Sequence, residues 1–157
     1  MVSSTLLLQA VVALAGTAAA APYRMFPRVI VPQEYYEVLN LRASTDVNPA
    51  AVSGVTCTDA SQNIVFHDQN VAELAICGGI AGTIQKCGGN PASTTGQSGT
   101  AKFTLKAATS GATINISKGR WEQCIRAARA VCPTGSMTGT CAGGATTGNV
   151  DFTLSNP

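Results

Sequence analysis

Six cysteines, Cys57, Cys77, Cys87, Cys124, Cys132 and Cys141, punctuate the C-terminal part of this 157-residue chain. The count is even, no Cys-x-x-Cys pair occurs, and His67 is the single histidine. That pattern argues against a zinc site and for three disulfides. Each bridge contributes about 2–4 kcal/mol, chiefly by restricting the unfolded chain. The supplement matters because the apolar content, 45%, is largely Ala and Val, with aromatics at only 5%. A core built from small side chains stabilises weakly and leans on covalent staples.

Two of the cysteines share one predicted helix. Between Gly119 and Pro133, Trp121, Cys124, Ile125, Ala128 and Cys132 recur with the spacing of a single buried face. Arg120, Glu122, Gln123, Arg126 and Arg129 then fall on the part of the cylinder that water can solvate. Pro133 lacks an amide hydrogen and disfavours helical angles at Cys132, so the helix stops there.

The N-terminal segment sets the compartment. Leu6 to Ala15 is apolar but shorter than the roughly 20 residues that span a bilayer, and a small-residue cleavage region, Gly16 to Pro22, follows it. Residues 1–20 read as a secretory signal peptide cut near Ala20, although no Lys or Arg precedes Arg24. A short membrane anchor is the alternative. No later stretch is long and apolar enough to be a transmembrane helix, so the expectation is a secreted, extracellular protein without membrane anchoring. Residues 21–42 hold three arginines, three prolines and all three tyrosines, a composition unlike the Gly-, Ala-, Ser- and Thr-rich remainder. Leu39-Asn40-Leu41-Arg42 matches the Leu-x-x-Arg sites that fungal kexin-like proteases cut. Cleavage after Arg42 divides the chain into a propeptide, 21–42, and a mature cysteine-rich domain, 43–157. An ordered extension packing its aromatics on the domain is the alternative.

Within the mature domain, Val55 and Cys57 alternate with Thr56 and Thr58 as a first strand. Asp68 or Asn70 is placed to cap a helix through Val71, Leu74 and Ala75 up to Lys86, with a break near Gly79 as the alternative because glycines weaken helices. Cys87 to Gly99 has the composition of a loop. Ala101 to Lys106 alternates cleanly, with Phe103 and Leu105 inward. A turn at Thr109–Ala112 predicts a hairpin with Thr113–Ser117, which turns Ile114 and Ile116 inward. Asn115-Ile116-Ser117 is a glycosylation sequon whose Asn115 falls on the outward face, equally consistent with an unused site. Thr134 to Asn149 reads as a connection, and Val150–Leu154 as the last strand.

This order predicts an α+β fold of the split β-α-β (β-α-β-β-α-β) kind. Two helices would cover one face of a four-stranded antiparallel sheet, stapled by disulfides. Right-handed crossovers then favour the pairs Cys57–Cys141, Cys77–Cys132 and Cys87–Cys124, one of many connectivities that six cysteines allow.

Taken with the Ala-rich leader and the Leu39-x-x-Arg42 site, this six-cysteine layout resembles small secreted fungal effectors with a killer-toxin-like fold. The block Ile116 to Cys124, leading to Ala130–Gly135, belongs to the same likeness. The resemblance covers most of the mature domain and rests on layout, so it transfers no target-binding residue. It implies a non-enzymatic protein acting in the host apoplast, where it would serve virulence, or on competing microbes.

Catalytic chemistry finds little support in the residues. His67 sits beside Asp68, but no nucleophile or second histidine accompanies the pair, which reads better as the approach to the first helix. Glu122, Arg120 and His67 contain the parts of a small ribonuclease site, without anything that brings them together. Gly-rich stretches at Cys87–Asn90 and Ala142–Ala145 lack the Gly-Lys-Ser/Thr ending of a phosphate loop. Trp121 opens an apolar helix face and reads as core. A net charge of +2 with 11% charged residues gives little drive towards nucleic acid, and no cofactor or metal is expected. Arg120, Arg126 and Arg129 form a candidate contact face for an extracellular host or microbial protein or a cell-wall component, with a merely solvated face as the alternative. A binding protein is therefore the leading expectation. A small secreted nuclease or hydrolase is one alternative, and a protease inhibitor presenting Asn90 to Gly99 is another.

Overall fold

The computed structural model describes residues 46–79, 87 and 90–157. The leader, the 21–42 segment and the Leu39–Arg42 site lie outside the described residues, as do 80–86, the end of the first predicted helix.

A short 3-10 turn, Pro49–Ala51, leads into β1 (Val52–Asp59), α1 (Phe66–Gly79), β2 (Ser93–Ser98) and β3 (Ala101–Ala107). Then come α2 (Lys118–Val131), β4 (Ser136–Gly144) and β5 (Asn149–Ser155). The strands form one five-stranded sheet in the order β1-β4-β5-β3-β2 with every neighbouring pair antiparallel. The α+β class holds, and the sheet has five strands rather than four.

Both helices lie on one face of the sheet, α1 over β2 and β3, α2 over β1 and β4. Beneath them, Phe103, Leu105, Val150, Phe152, Leu154 and Met137 are buried as their alternation requires. Trp121 joins the two halves of the core. Its ring meets Phe103 edge-on at 5.1 Å and Phe152 at 5.9 Å. Its Nε1–H donates to the Glu73 carbonyl of α1 at 3.2 Å. The apolar face expected for α2 is buried throughout, from Trp121 to Cys132, and Ser117 caps the helix by accepting from the Arg120 amide.

Three elements differ from expectation, each for a local reason. First, α1 starts at Phe66, ahead of its expected caps, because Asp68 bonds the β2–β3 turn instead of its own helix end. It loses helical geometry at Ile76, with Cys77 (φ 56) and Gly78 (φ 71) left-handed, which realises the break near the glycines. Second, the partner of β3 is β2, joined by a two-residue turn at Gly99 and Thr100, so residues expected as loop are a strand. Thr113–Ser117 contributes only a single bridge, Ile114 to Ala145, although Ile114 and Ile116 are buried. Third, the expected connection between α2 and the last strand is itself β4, with Met137, Gly139 and Cys141 inward.

The disulfides are Cys57–Cys132, Cys77–Cys87 and Cys124–Cys141, with Cα separations of 5.5, 4.8 and 5.4 Å. None is a pair that the four-strand layout favoured. The unforeseen β4 places Cys141 beneath α2, opposite Cys124, and its pairing with β1 carries Cys57 to the end of α2 at Cys132.

Facing away from the helices, the sheet carries a row of threonines, one per strand: Thr56, Thr138, Thr153, Thr104 and Thr95. β-branched residues suit this solvated, pleated surface, and cross-strand Thr pairs reinforce it. Lys102 and Lys106 flank the row on β3, outward as expected.

Candidate binding cleft

α1 and α2 run side by side over the sheet and leave a cleft of about 590 Å³ between them. On α1 its wall is Phe66, Gln69, Asn70 and Glu73, the i, i+3, i+4, i+7 set of one helix face. On α2 the wall is Glu122, Ile125, Arg126 and Arg129, the same set, continued by Ala130; Val47 also lines the cleft. Two helical stripes of mixed chemistry thus face each other.

A hydrogen-bonded chain ties the walls together. Arg129 Nε donates to Gln69 Oε1 at 2.8 Å, and Gln69 Nε2 donates to Glu73 Oε1 at 2.8 Å. Arg129 Nη1 also donates to the carbonyls of Cys132 and Gly135, both at 3.0 Å, which satisfies the end of α2 and the approach to β4. Burial pushes the Arg129 guanidinium below its usual range, and the negative charge of Glu73 opposes that shift. Glu73 and Glu122 retain only 4% and 8% of their surface, so both carboxylates are cleft floor rather than rim. Nη1 of Arg126 is likewise shielded from solvent.

Against this polar floor stands an exposed aromatic. Phe66 keeps 73% of its surface, with Val47 at 39% on the same cleft. Phe66, Gln69 and Arg129 also line a second depression of about 390 Å³ beside Gln62, Ile64 and Pro133. The ring of Phe66 therefore belongs to the wall shared by two concavities. Such a ring, beside Gln69 and Arg129 that are already bonded to each other, presents apolar area at little added polar desolvation.

The expected contact face divides. Arg126 and Arg129 line the cleft, and Arg129 is half-buried in its network rather than solvated. Arg120 lies elsewhere, exposed, with Nη1 donating to the Ala142 carbonyl of β4 at 2.7 Å. Glu122, expected on the solvated side of α2, is buried. His67 is exposed on the first turn of α1 and does not line the cleft, so the fragments of a nuclease site are not assembled. Among the described residues, the lining contains no hydroxyl, thiol, imidazole or amine side chain. Asn115 is half-buried in an irregular segment, not on a strand, with its amide bonded to the Gly144 carbonyl at 2.7 Å. Most of the expected inhibitor loop, Asn90 to Gly99, is strand β2.

Sequence reasoning missed Phe66, Gln69, Asn70 and Glu73. Their one-face spacing is present in the chain, but it shows only when the helix begins at Phe66. No helix among the described residues is long and apolar enough to cross a membrane. No family model matches the chain, and neither a curated protein nor a solved structure shows recognisable similarity to it.

Proposed function

We propose that this chain is a secreted, non-enzymatic binding protein of the killer-toxin-like effector kind. It recognises an extracellular host or microbial component through the cleft between α1 and α2. The observation that carries the reading is Phe66, 73% exposed on the wall shared by two concavities, beside the bonded chain of Arg129, Gln69 and Glu73. Large exposed aromatics in such settings act as interface anchors. Three disulfides suit a protein that works in an oxidising space, and the leader supports secretion.

The test is retention of the labelled, secreted protein by intact plant and microbial cells and by their wall fractions. Phe66→Ala lowers retention at least tenfold, corresponding to about 1.4 kcal/mol or more at this anchor. Paired Lys102→Ala and Lys106→Ala on the opposite sheet face leave retention unchanged. Turnover of RNA or protein that disappears in Glu122→Ala or His67→Ala would overturn the binding reading in favour of an enzyme. Stoichiometric loss of protease activity would favour an inhibitor instead.

A further inference from the structure

We propose that the cleft takes a neutral polysaccharide of β-linked, glucose-configured rings, with one ring stacked on Phe66 and its neighbours reaching the concavity on either side. The inference deepens the binding reading and rests on it.

Phe66 lines both the cleft of about 590 Å³ and the depression of about 390 Å³, and each volume lies in the range of small-ligand sites. A carboxamide flanks the ring on each side. Asn70, on the cleft, stands one helical turn after Phe66, a spacing that separates Cβ atoms by about 5–6 Å. Asn63, on the second depression, lies in the segment that leads into α1. Among the described residues, neither of these two side chains is bonded to another protein group. A free carboxamide offers two donors and an acceptor oxygen, the set that engages two adjacent hydroxyls.

Charge narrows the ligand. The cleft is lined by two glutamates and two arginines, and Arg129 is the one charged residue among those described around the second depression. Its Nη1 already donates to the carbonyls of Cys132 and Gly135, and its Nε to Gln69. An anionic polymer would therefore bury its charge without an uncommitted counter-charge. A wholly apolar side chain fits no better, because it would lie against Gln69 and Asn70 and strip their water.

A pyranose ring has what this surface asks for, an apolar C–H face bordered by a rim of hydroxyls. The face covers the exposed Phe66 ring, and the rim meets the carboxamides. In the glucose configuration all ring hydroxyls are equatorial, so none projects into the aromatic ring. β-Linkage continues the chain sideways from that ring, towards both concavities.

The experiment titrates the isotope-labelled secreted protein with cellohexaose, laminarihexaose and chitohexaose while NMR follows the Asn63 and Asn70 side-chain amides. The expected result is a saturable shift of both amides with at least one of the three sugars. Phe66→Leu keeps apolar bulk but loses the flat face, so affinity falls at least tenfold, whereas Phe66→Tyr stays within about threefold of the parent. Intact mass and an otherwise unchanged spectrum establish that both variants fold. No saturable shift with any of the three, a shift at only one amide, a smaller loss in Phe66→Leu, or a Phe66→Tyr variant as weak as Phe66→Leu would overturn the proposal. If cell and wall retention still depends on Phe66 in that event, the binding reading stands and only the sugar assignment falls. Retention indifferent to Phe66→Ala overturns the binding reading itself.

Discussion

Asp68 illustrates how one carboxylate can hold two elements in register. It accepts from the Thr100 amide at 2.8 Å and from Thr100 Oγ1 at 2.9 Å, while that hydroxyl accepts from the Val65 amide at 2.8 Å. The start of α1 is thereby fastened to the β2–β3 turn. These bonds, the Thr100 amide first, hold the Asp68 carboxyl below its ordinary value, with partial desolvation opposing them and His67 assisting. A depressed folded pKa means stability that is present above the unfolded carboxylate value, about 3.9, and is lost as pH falls through the lower folded value. Asp59, bonded by the Ser61 hydroxyl and amide, has the same sign. Asp68→Asn is expected to lower Tm at pH 7. The gap to the parent should shrink as pH drops below about 4. Thermal melts from pH 7 to pH 2 check this, and a gap that stays constant would refute it.

At the level of elements, two glycines explain why helices and strands approach as they do. Gly96 on β2 faces α1, and a Cβ there would strike the Ala72 carbonyl and lie 2.7 Å from the Ile76 amide nitrogen. Gly139 on β4 leaves room for the Phe152 ring, which a Cβ would meet at 2.8 Å. Backbone does not yield as a flexible side chain can, so Gly96→Ala should cost about 1–3 kcal/mol. Gly119, in the first turn of α2, faces open space, with no atom within 4 Å of where an alanine methyl would sit. Gly119→Ala should therefore stabilise by up to about 1 kcal/mol through helix propensity. Urea unfolding of the two variants checks the opposite signs, with m unchanged.

On the scale of the molecule, the disulfides are distributed unevenly. Cys57–Cys132 and Cys124–Cys141 bind α2 to β1 and β4, whereas Cys77–Cys87 joins the non-helical end of α1 to a residue only ten positions further along the chain. α1 is instead seated by the Gly96 approach, the Asp68 bonds, the Trp121–Glu73 hydrogen bond and the Arg129–Gln69 bridge. Sequence separations of 75, 17 and 10 residues set the loop entropy that each bridge removes from the unfolded chain. Replacing both cysteines by serine should cost about 4 kcal/mol for Cys57–Cys132 and about 3 kcal/mol for either of the others. Melts of the three double variants check that order.

Much of this architecture was legible in the chain because it is written in local periodicity. The buried face of α2, its stop at Pro133, the inward rows of β3 and β5, and the oxidation of six cysteines follow from spacing and composition. β2 and β4 were not legible, because their inward positions include Gly96 and Gly139, whose space is filled by α1 and by Phe152. An inward glycine carries no hydrophobic signal, and only the packed neighbour shows why it is there. The disulfide partners depended on that missing strand. The cleft was invisible for a related reason, since its two stripes become a site only when α1 begins at Phe66 and lies beside α2. Local spacing and composition were enough to say which faces are apolar and that the sulfurs pair. Tertiary structure alone decided which strand lies beneath which helix, because that choice turns on contacts between residues far apart in the chain.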